Sequence, residues 1–510
     1  MDVIYFVIAL SAIALRLSPR IMWKDFNGTD SYFHFFLTKT LKNNKHKILE
    51  KEKRILGGSN GYTYPYYYHW ILSFFTEKFL MFWDKFSGSI FDIITGASLA
   101  LILYHFSLIK THDAYLVFSA YILSPGLTFS FIGPRPFSLT PRNFSQFIFT
   151  IGSCCLVMAL SDVFVGYEIR IGLFILASYL FAILLLSSQF GTQVLLFLLL
   201  SGFFNIYIAL CIVLSFFIGM IISKGFLITQ IKAHIHHLEW YFRYNYEFVQ
   251  HKSNFSAIFF HIKSRNICGI FYECLFFNQL ISSFFKHTTY FLAVVLGIMY
   301  LCYDTIDYSQ SLILVFCLSM FVPFILTNFG KMRVFGEAER YIEFVFPLHF
   351  FLFFSLLSES LTTATSQFLL IYNFIFYLYN LRQIKSQFSS LYDFNNLTQK
   401  LKSDDILLCL SNNETYVFLE KTKASFVGFL VNITLKGSFN DFFKHFFIRY
   451  PMVNPKEIKN LCERFKVTHI LKNKRHGLVE QYSHELNQLG ACVPCYEDEF
   501  YVLYEVKNSI

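Results

Sequence analysis

Two stretches of this 510-residue chain, Ile171 to Phe190 and Val194 to Ile222, contain no charged side chain. No other feature limits the possible folds more tightly. A run of about 20 apolar residues crosses the hydrocarbon core as a helix, since the helix satisfies its own backbone hydrogen bonds in lipid. Composition agrees, with 55% hydrophobic, 20% aromatic and only 15% charged residues, where soluble domains carry about 25% charge. The reading is a polytopic α-helical membrane protein of about 11 transmembrane helices, range about 10–13. They are drawn at 3–18, 91–109, 114–132, 144–160, 171–189, 194–222, 267–285, 289–303, 310–327, 342–358 and 363–381. The first is read as a retained span, lacking a basic lead-in and a small-residue cleavage site. The net charge of +9 is modest, and no nucleic-acid partner is expected; in such proteins Lys and Arg set orientation and meet lipid headgroups.

Residues 19–90 form a long loop after the first span. Its stretch YPYYYHWILSFFTEKFLMFW is amphipathic and aromatic, and is read as a helix lying on the membrane. Lys224, Lys232, Arg243, Lys252, Lys263 and Arg265 place their loop in the cytoplasm by the positive-inside rule. Counting spans from there puts 19–90, 133–143, 328–341 and everything after 381 on the outer face. From about residue 400 the composition changes. DDILLCL and VTHILKN read as strands. NPKEIKNLCERF reads as a helix capped by Asn454, and ACVPCYEDEFYVLYEV as a hairpin turning at Glu497–Glu499. The domain reading is therefore 1–385 membrane-embedded and 400–510 a small soluble α/β domain.

The ionisable residues gather in the three outer loops. In NGTDSYFHFF, Asp30 and His34 are one helical turn apart. Asp30 is either an N-cap or a carboxylate facing a water-filled cavity, where it serves as general base or metal ligand. His34 is either a packing and hydrogen-bonding residue or part of the same site. The second loop, GPRPFSLTPRNFSQF, holds Arg135 and Arg142 between prolines. They are either anchors at the membrane surface or planar forks for phosphate oxygens. In NFGKMRVFGEAERYIEF, Glu337, Glu339 and Arg340 form either local ion pairs or a ligand site at the cavity mouth. Tyr66, in the aromatic stretch, joins these substrate-binding candidates. No phosphate-binding loop, nucleophile elbow or dinucleotide fingerprint is present in the sequence.

The first span, the loop bearing D-S-Y-F-H, the YPYYYHWILSFF helix, the many spans and the α/β tail together resemble the GT-C class of integral membrane glycosyltransferases. That class includes oligosaccharyltransferase catalytic subunits and the protein and lipid-A glycosyltransferases. SAYILSPGLTFSFIGPRPFSLTPRNFSQF is similar to their third span and second outer loop. GEAERYIEF is similar to a late outer loop of bacterial polysaccharide members. The resemblance implies transfer of a hexosyl or pentosyl group from a polyprenyl-phosphate or pyrophosphate donor to a glycan, lipid or protein acceptor. It implies action outside the cytoplasm, in a bacterial inner or cell membrane, during surface polysaccharide or glycoconjugate assembly. Asp30 would be the catalytic carboxylate or a ligand of a divalent cation (Mg or Mn), and Arg142 and Arg340 would hold the donor phosphate. Several members carry a second acid in the second outer loop, and 133–143 has none. Glu337 or Glu339 would then supply it, or the enzyme would work without metal. A flippase, a transporter or a polymerase of another class is the alternative. A transporter would show broken, charged helices at the bilayer midplane, often in repeated halves, and the charges here lie in loops.

Overall fold

The computed structural model describes residues 2–22, 29–48, 53–56, 63–128, 139–161, 166–240, 242, 255–329, 332, 335–388, 394–428, 445–449, 452–475, 478–490 and 492–507. The chain divides into two compact units, one of residues 1–26, 81–227 and 249–389, the other of 27–80, 228–248 and 390–510.

The first unit is a bundle of apolar helices. Among the described residues, six helices are long and apolar enough to cross a membrane: Val3–Met22, Glu77–His105, Pro141–Leu160, Tyr167–Ser187, Tyr308–Asn328 and Glu359–Arg382. Two bent pairs raise the number to eight, and Gln189–Phe203, Thr288–Cys302 and Phe346–Ser355 are shorter apolar helices. The chain is thus a polytopic α-helical membrane protein. The aromatic stretch departs from the membrane-surface helix expected at 66–83. It divides into a short helix, Tyr67–Ser73, and the start of a 29-residue helix that runs from Glu77 to His105. Charges at Asp84 and Lys85 hid this continuity in the sequence. Asp84 is buried and paired with Arg20 at 3.1 Å, and Arg16 of the same first helix pairs with buried Asp92. Two neutralised pairs let one apolar helix carry acids inside the unit.

The uncharged run 194–222 is not one span. A helical segment, Gln189–Leu198 extended by a 3-10 turn to Phe203, ends at Phe204, and a new helix, Ile206–Ile222, begins beyond Asn205. The Asn205 side chain accepts from the Tyr207 amide at 2.9 Å and donates to the Tyr308 hydroxyl at 2.6 Å. That fixes the reversal beside the start of Tyr308–Asn328. The far end of the new helix returns to the other end of the bundle, where a Cβ on Gly219 would lie 3.0 Å from Leu227 and 3.8 Å from Ala182. Phe190, just beyond the helix that carries Ala182, meets Tyr341 with ring centroids 4.8 Å apart. The turn bearing Lys224 therefore lies at the same end of the bundle as the 335–343 loop. The sequence reading had put them on opposite faces, because an uncharged run gives no sign of a reversal inside it.

The second unit is α/β. Its strands among the described residues are β1 (Ile55–Leu56), β2 (Ile406–Cys409), β3 (Ser425–Val427), β4 (Phe447–Arg449), β5 (Met452–Val453), β6 (His469–Asn473), β7 (Cys492–Glu497) and β8 (Tyr501–Val506). Six form one sheet in the order β1-β3-β2-β6-β8-β7, parallel from β1 to β6 and antiparallel between β6 and β8 and between β8 and β7. Side chains alternate faces along each strand. Leu407, Cys409, Phe426 and Leu471 enter one core, while Leu408, Leu410, Val427 and Ile470 enter the other. Helix Thr29–Asn43 covers the first core with Phe33, Phe36, Leu37 and Leu41, beside Tyr416 to Leu419 of a second helix. Helices Ile458–Phe465 and Val479–Leu489 cover the other through Ile458, Leu461, Tyr482 and Leu486. Fully burying each such side chain contributes about 1.5–3 kcal/mol, which anchors Thr29–Asn43 as a layer of this sheet. The strands, the Asn454 cap and the hairpin turn follow the sequence expectation. The edge strand and one covering helix come from residues well before 400.

Candidate active site

The first unit concentrates its charge around the short helix Glu339–Phe344. Gly336 makes the turn before it with φ +106°, a left-handed conformation that suits glycine. Its α-carbon sits so close to the Phe190 ring that a Cβ would lie 3.3 Å away. Tyr341 locks the turn, its hydroxyl donating to the Phe335 carbonyl at 2.9 Å with the Gln193 side-chain oxygen 3.3 Å away. Glu339 and Glu343 are one turn apart, both buried and on one face.

Glu339 faces Lys286 at 3.6 Å and His287 Nε2 at 3.3 Å. Lys286 ends helix Gln279–Lys286 and His287 caps helix Thr288–Cys302, so both come from the turn between two apolar segments. Burial would push the Glu339 carboxyl up, but Lys286, His287 and Arg142 overcome it and hold the group at about 2. It is therefore an anion throughout the physiological range. Arg142, in the first turn of helix Pro141–Leu160, pairs with Glu343, and the Gln146 side chain donates to the Glu343 carbonyl. Arg142 is positioned from below. Asp84 accepts from the Leu139 amide at 2.7 Å, and the Asn143 side chain donates to the Gly88 carbonyl at 3.1 Å. Arg340 pairs with Glu337 at 2.9 Å, and its guanidinium lies 5.5 Å from the centre of the Phe190 ring. The local Glu337–Arg340 pair weighed in the sequence is present.

In the second unit, helix Thr29–Asn43 places Asp30 in its first turn. One turn on, buried His34 meets His69 through Nδ1 and Nε2, 2.8 Å apart, with the rings stacked. His69 Nδ1 lies 3.2 Å from the Pro65 carbonyl oxygen. That oxygen only accepts, so the His69 proton sits on Nδ1 and Nε2 accepts from His34 Nδ1–H. Burial draws His69 from 6.5 down to about 3, and burial with the neighbouring His69 draws His34 well below 6.5. Tyr66 is half-buried against the same core, which pushes its phenol up, and its carbonyl accepts from the Trp70 amide at 2.7 Å.

Of the residues singled out in the sequence, the structure joins Arg142, Glu337, Glu339 and Arg340 in one unit, and Asp30, His34 and Tyr66 in the other. Arg135 and the Asp30 side chain lie outside what is described. Lys286, His287 and His69 were missed. The Lys286–His287 pair did leave a signal, since it interrupts two apolar runs at a very short turn. Among the described residues, no group of three or more His, Cys, Asp or Glu side chains is placed to hold a metal ion.

No protein-family model and no curated protein matches the sequence. The fold, by contrast, has solved counterparts. ArnT from Cupriavidus metallidurans bound to undecaprenyl phosphate superposes with a TM-score of 0.57 at 12% identity, over 99% of this chain and 98% of that one. The archaeal oligosaccharyltransferase AglB from Archaeoglobus fulgidus, with an inhibitory peptide and a dolichol-phosphate, gives 0.55 at 10% identity over 92% of this chain and 69% of that one. The Archaeoglobus fulgidus oligosaccharyltransferase with Zn and sulfate gives 0.55 at 11%, over 91% and 68%. This chain has the GT-C membrane fold that the sequence resembled.

Proposed function

We propose that the protein is a glycosyltransferase. It moves a sugar from a polyprenyl-phosphate or pyrophosphate donor to a glycan, lipid or protein acceptor on the extracytoplasmic face, in cell-envelope glycan assembly. The observation that carries this reading is the likeness of fold over nearly the whole chain to ArnT bound to undecaprenyl phosphate. A second solved counterpart holds a dolichol-phosphate and a peptide. Two proteins of this fold thus hold a lipid phosphate, and the buried Lys286 and His287 with the partly buried Arg142 have the chemistry for one.

Phosphate is the leaving group in such a transfer. Charge grows on its bridging oxygen as the bond to C1 breaks, and guanidinium or ammonium groups already fixed in place stabilise that charge without reorganising. Arg142 is held for this by Glu343 and the Gln146 contact, and Arg340 by Glu337 and Phe190. The acceptor hydroxyl loses its proton as it attacks, and Asp30 is the proposed base. One base suffices for a single inverting displacement. A divalent cation at Asp30 belongs to the same reading, as does a role for Arg135, Glu337 or Tyr66 in holding substrate.

The test is transfer from a polyprenyl-linked sugar by purified protein in lipid nanodiscs. Asp30→Asn, with expression and unfolding temperature matched to wild type, lowers transfer by about 100-fold or more, the size of a lost general base. Chelation lowers it as well, with recovery on adding Mg or Mn. Unchanged transfer by Asp30→Asn removes the catalytic assignment.

A further inference from the structure

The carboxylates on helix Glu339–Phe344 face buried or partly buried basic groups. Glu339 sits between Lys286 and His287 with Arg142 close enough to act on its charge. Glu343, one turn on, takes Arg142 itself. The three basic groups come from two separate segments: the Lys286–His287 turn and the start of Pro141–Leu160. Both counter-ions come from one six-residue helix. Lys286 is only 2% exposed and His287 0%, so neither is a headgroup anchor at the membrane surface. His287 is packed so closely on Gly126 that a Cβ there would lie 2.7 Å from its ring, which fixes the imidazole toward Glu339. A buried ammonium and a buried imidazole from one turn meet Glu339, and a guanidinium from another helix meets Glu343 beside it. A fixed pair of this kind is strong only while both partners are present.

We propose that Glu339 is an internal competitor for the donor's phosphate: Lys286 and His287, with Arg142, bind the phosphate of the lipid-linked sugar, and Glu339 must yield those groups for it to enter. This rests on the glycosyltransferase reading and assigns two residues to its donor site. The donor's phosphate is esterified on both sides and presents one negative charge and two free oxygens, as a carboxylate does, so it can take the place of Glu339 without leaving a cation bare. The exchange sets donor affinity below what the basic groups alone would give. It also eases release of the spent lipid phosphate, because Glu339 can return to the vacated groups. Specificity follows too, since a neutral polyprenol cannot displace the carboxylate.

The experiment uses full-length protein in nanodiscs, titrated with undecaprenyl phosphate and, separately, with undecaprenol. Glu339→Gln keeps the shape and the hydrogen bond to His287 but removes the competing charge, and it binds undecaprenyl phosphate about tenfold tighter than wild type. Lys286→Met removes a phosphate partner and binds it about tenfold more weakly. Binding of undecaprenol is the same for all three. Either variant decides the matter alone, so loss of folding in one leaves the other as the test. Equal or weaker binding by Glu339→Gln, or unchanged binding by Lys286→Met, overturns the competition while leaving the enzyme reading intact. Absence of undecaprenyl phosphate binding in wild type and both variants overturns the enzyme reading as well.

Discussion

His34 and His69 show what one buried hydrogen bond asks of its partners. Each ring is held neutral in the second unit's core, and the Pro65 carbonyl fixes the direction of the proton between them. Both groups sit below their ordinary 6.5 in the folded protein, so the unfolded chain binds protons first as pH falls. Stability from this pair is complete above about 6.5 and is lost as pH drops from there toward the folded value, about 3 for His69. The expected result is an unfolding temperature that is flat above pH 7 and falls steadily between pH 6.5 and 4. His34→Ala strands the His69 acceptor inside the core at a cost of about 1–3 kcal/mol, and it flattens the pH slope. A slope unchanged by the substitution would assign the acid loss to other groups. The pairing was not legible in the sequence. Asp30 and His34 share a helix and could be seen together, whereas His69 is 35 residues further on and reached only through tertiary packing.

At the scale of elements, the spans that were legible are those whose boundaries carry charge or proline. Helix Pro141–Leu160 starts at its proline and Tyr167–Ser187 follows the first uncharged run. Two kinds of element were hidden. Asn205 reverses the chain inside an uncharged run, where periodicity carries no phase information. Asp84 looks like a break ahead of the span drawn at 91–109, and Asp92 lies inside that span, yet both are buried against Arg20 and Arg16. That second pattern has a measurable signature. Asp92→Ala leaves the Arg16 guanidinium buried and unpaired, which destabilises by about 3–5 kcal/mol. The double change Arg16→Leu with Asp92→Leu removes both charges, so it recovers most of that loss in a thermal-unfolding series in detergent. A double variant as unstable as the single one would mean that the pair is required for more than charge neutrality.

For the whole membrane unit, the path of the chain decides which loops share a face of the membrane. Contacts at Asn205–Tyr308, Gln310–Ser355 and Lys110–Glu359 mark one end of the bundle. Contacts at Gly126–His287, Phe190–Tyr341 and Asp84–Leu139 mark the other. Reversal at Asn205 carries Lys224 to the second end, together with the charged residues of the candidate site. Counting basic residues had placed that turn in the cytoplasm and the site outside, and the two statements exclude each other once the reversal is known. Charge bias is a statistical pressure on insertion, whereas a helix reversal locked by hydrogen bonds fixes relative sidedness outright. In a cysteine-free background, Lys224→Cys and Met332→Cys, both exposed, are therefore labelled by a membrane-impermeant maleimide from the same side. Lys110→Cys, also exposed, is labelled from the opposite side. Extracytoplasmic labelling of the first two agrees with a donor site facing outward, and cytoplasmic labelling moves the proposed transfer to the inner face. Labelling of Lys224→Cys and Met332→Cys from opposite sides would remove the reversal, and with it the end-to-end arrangement that brings these loops together.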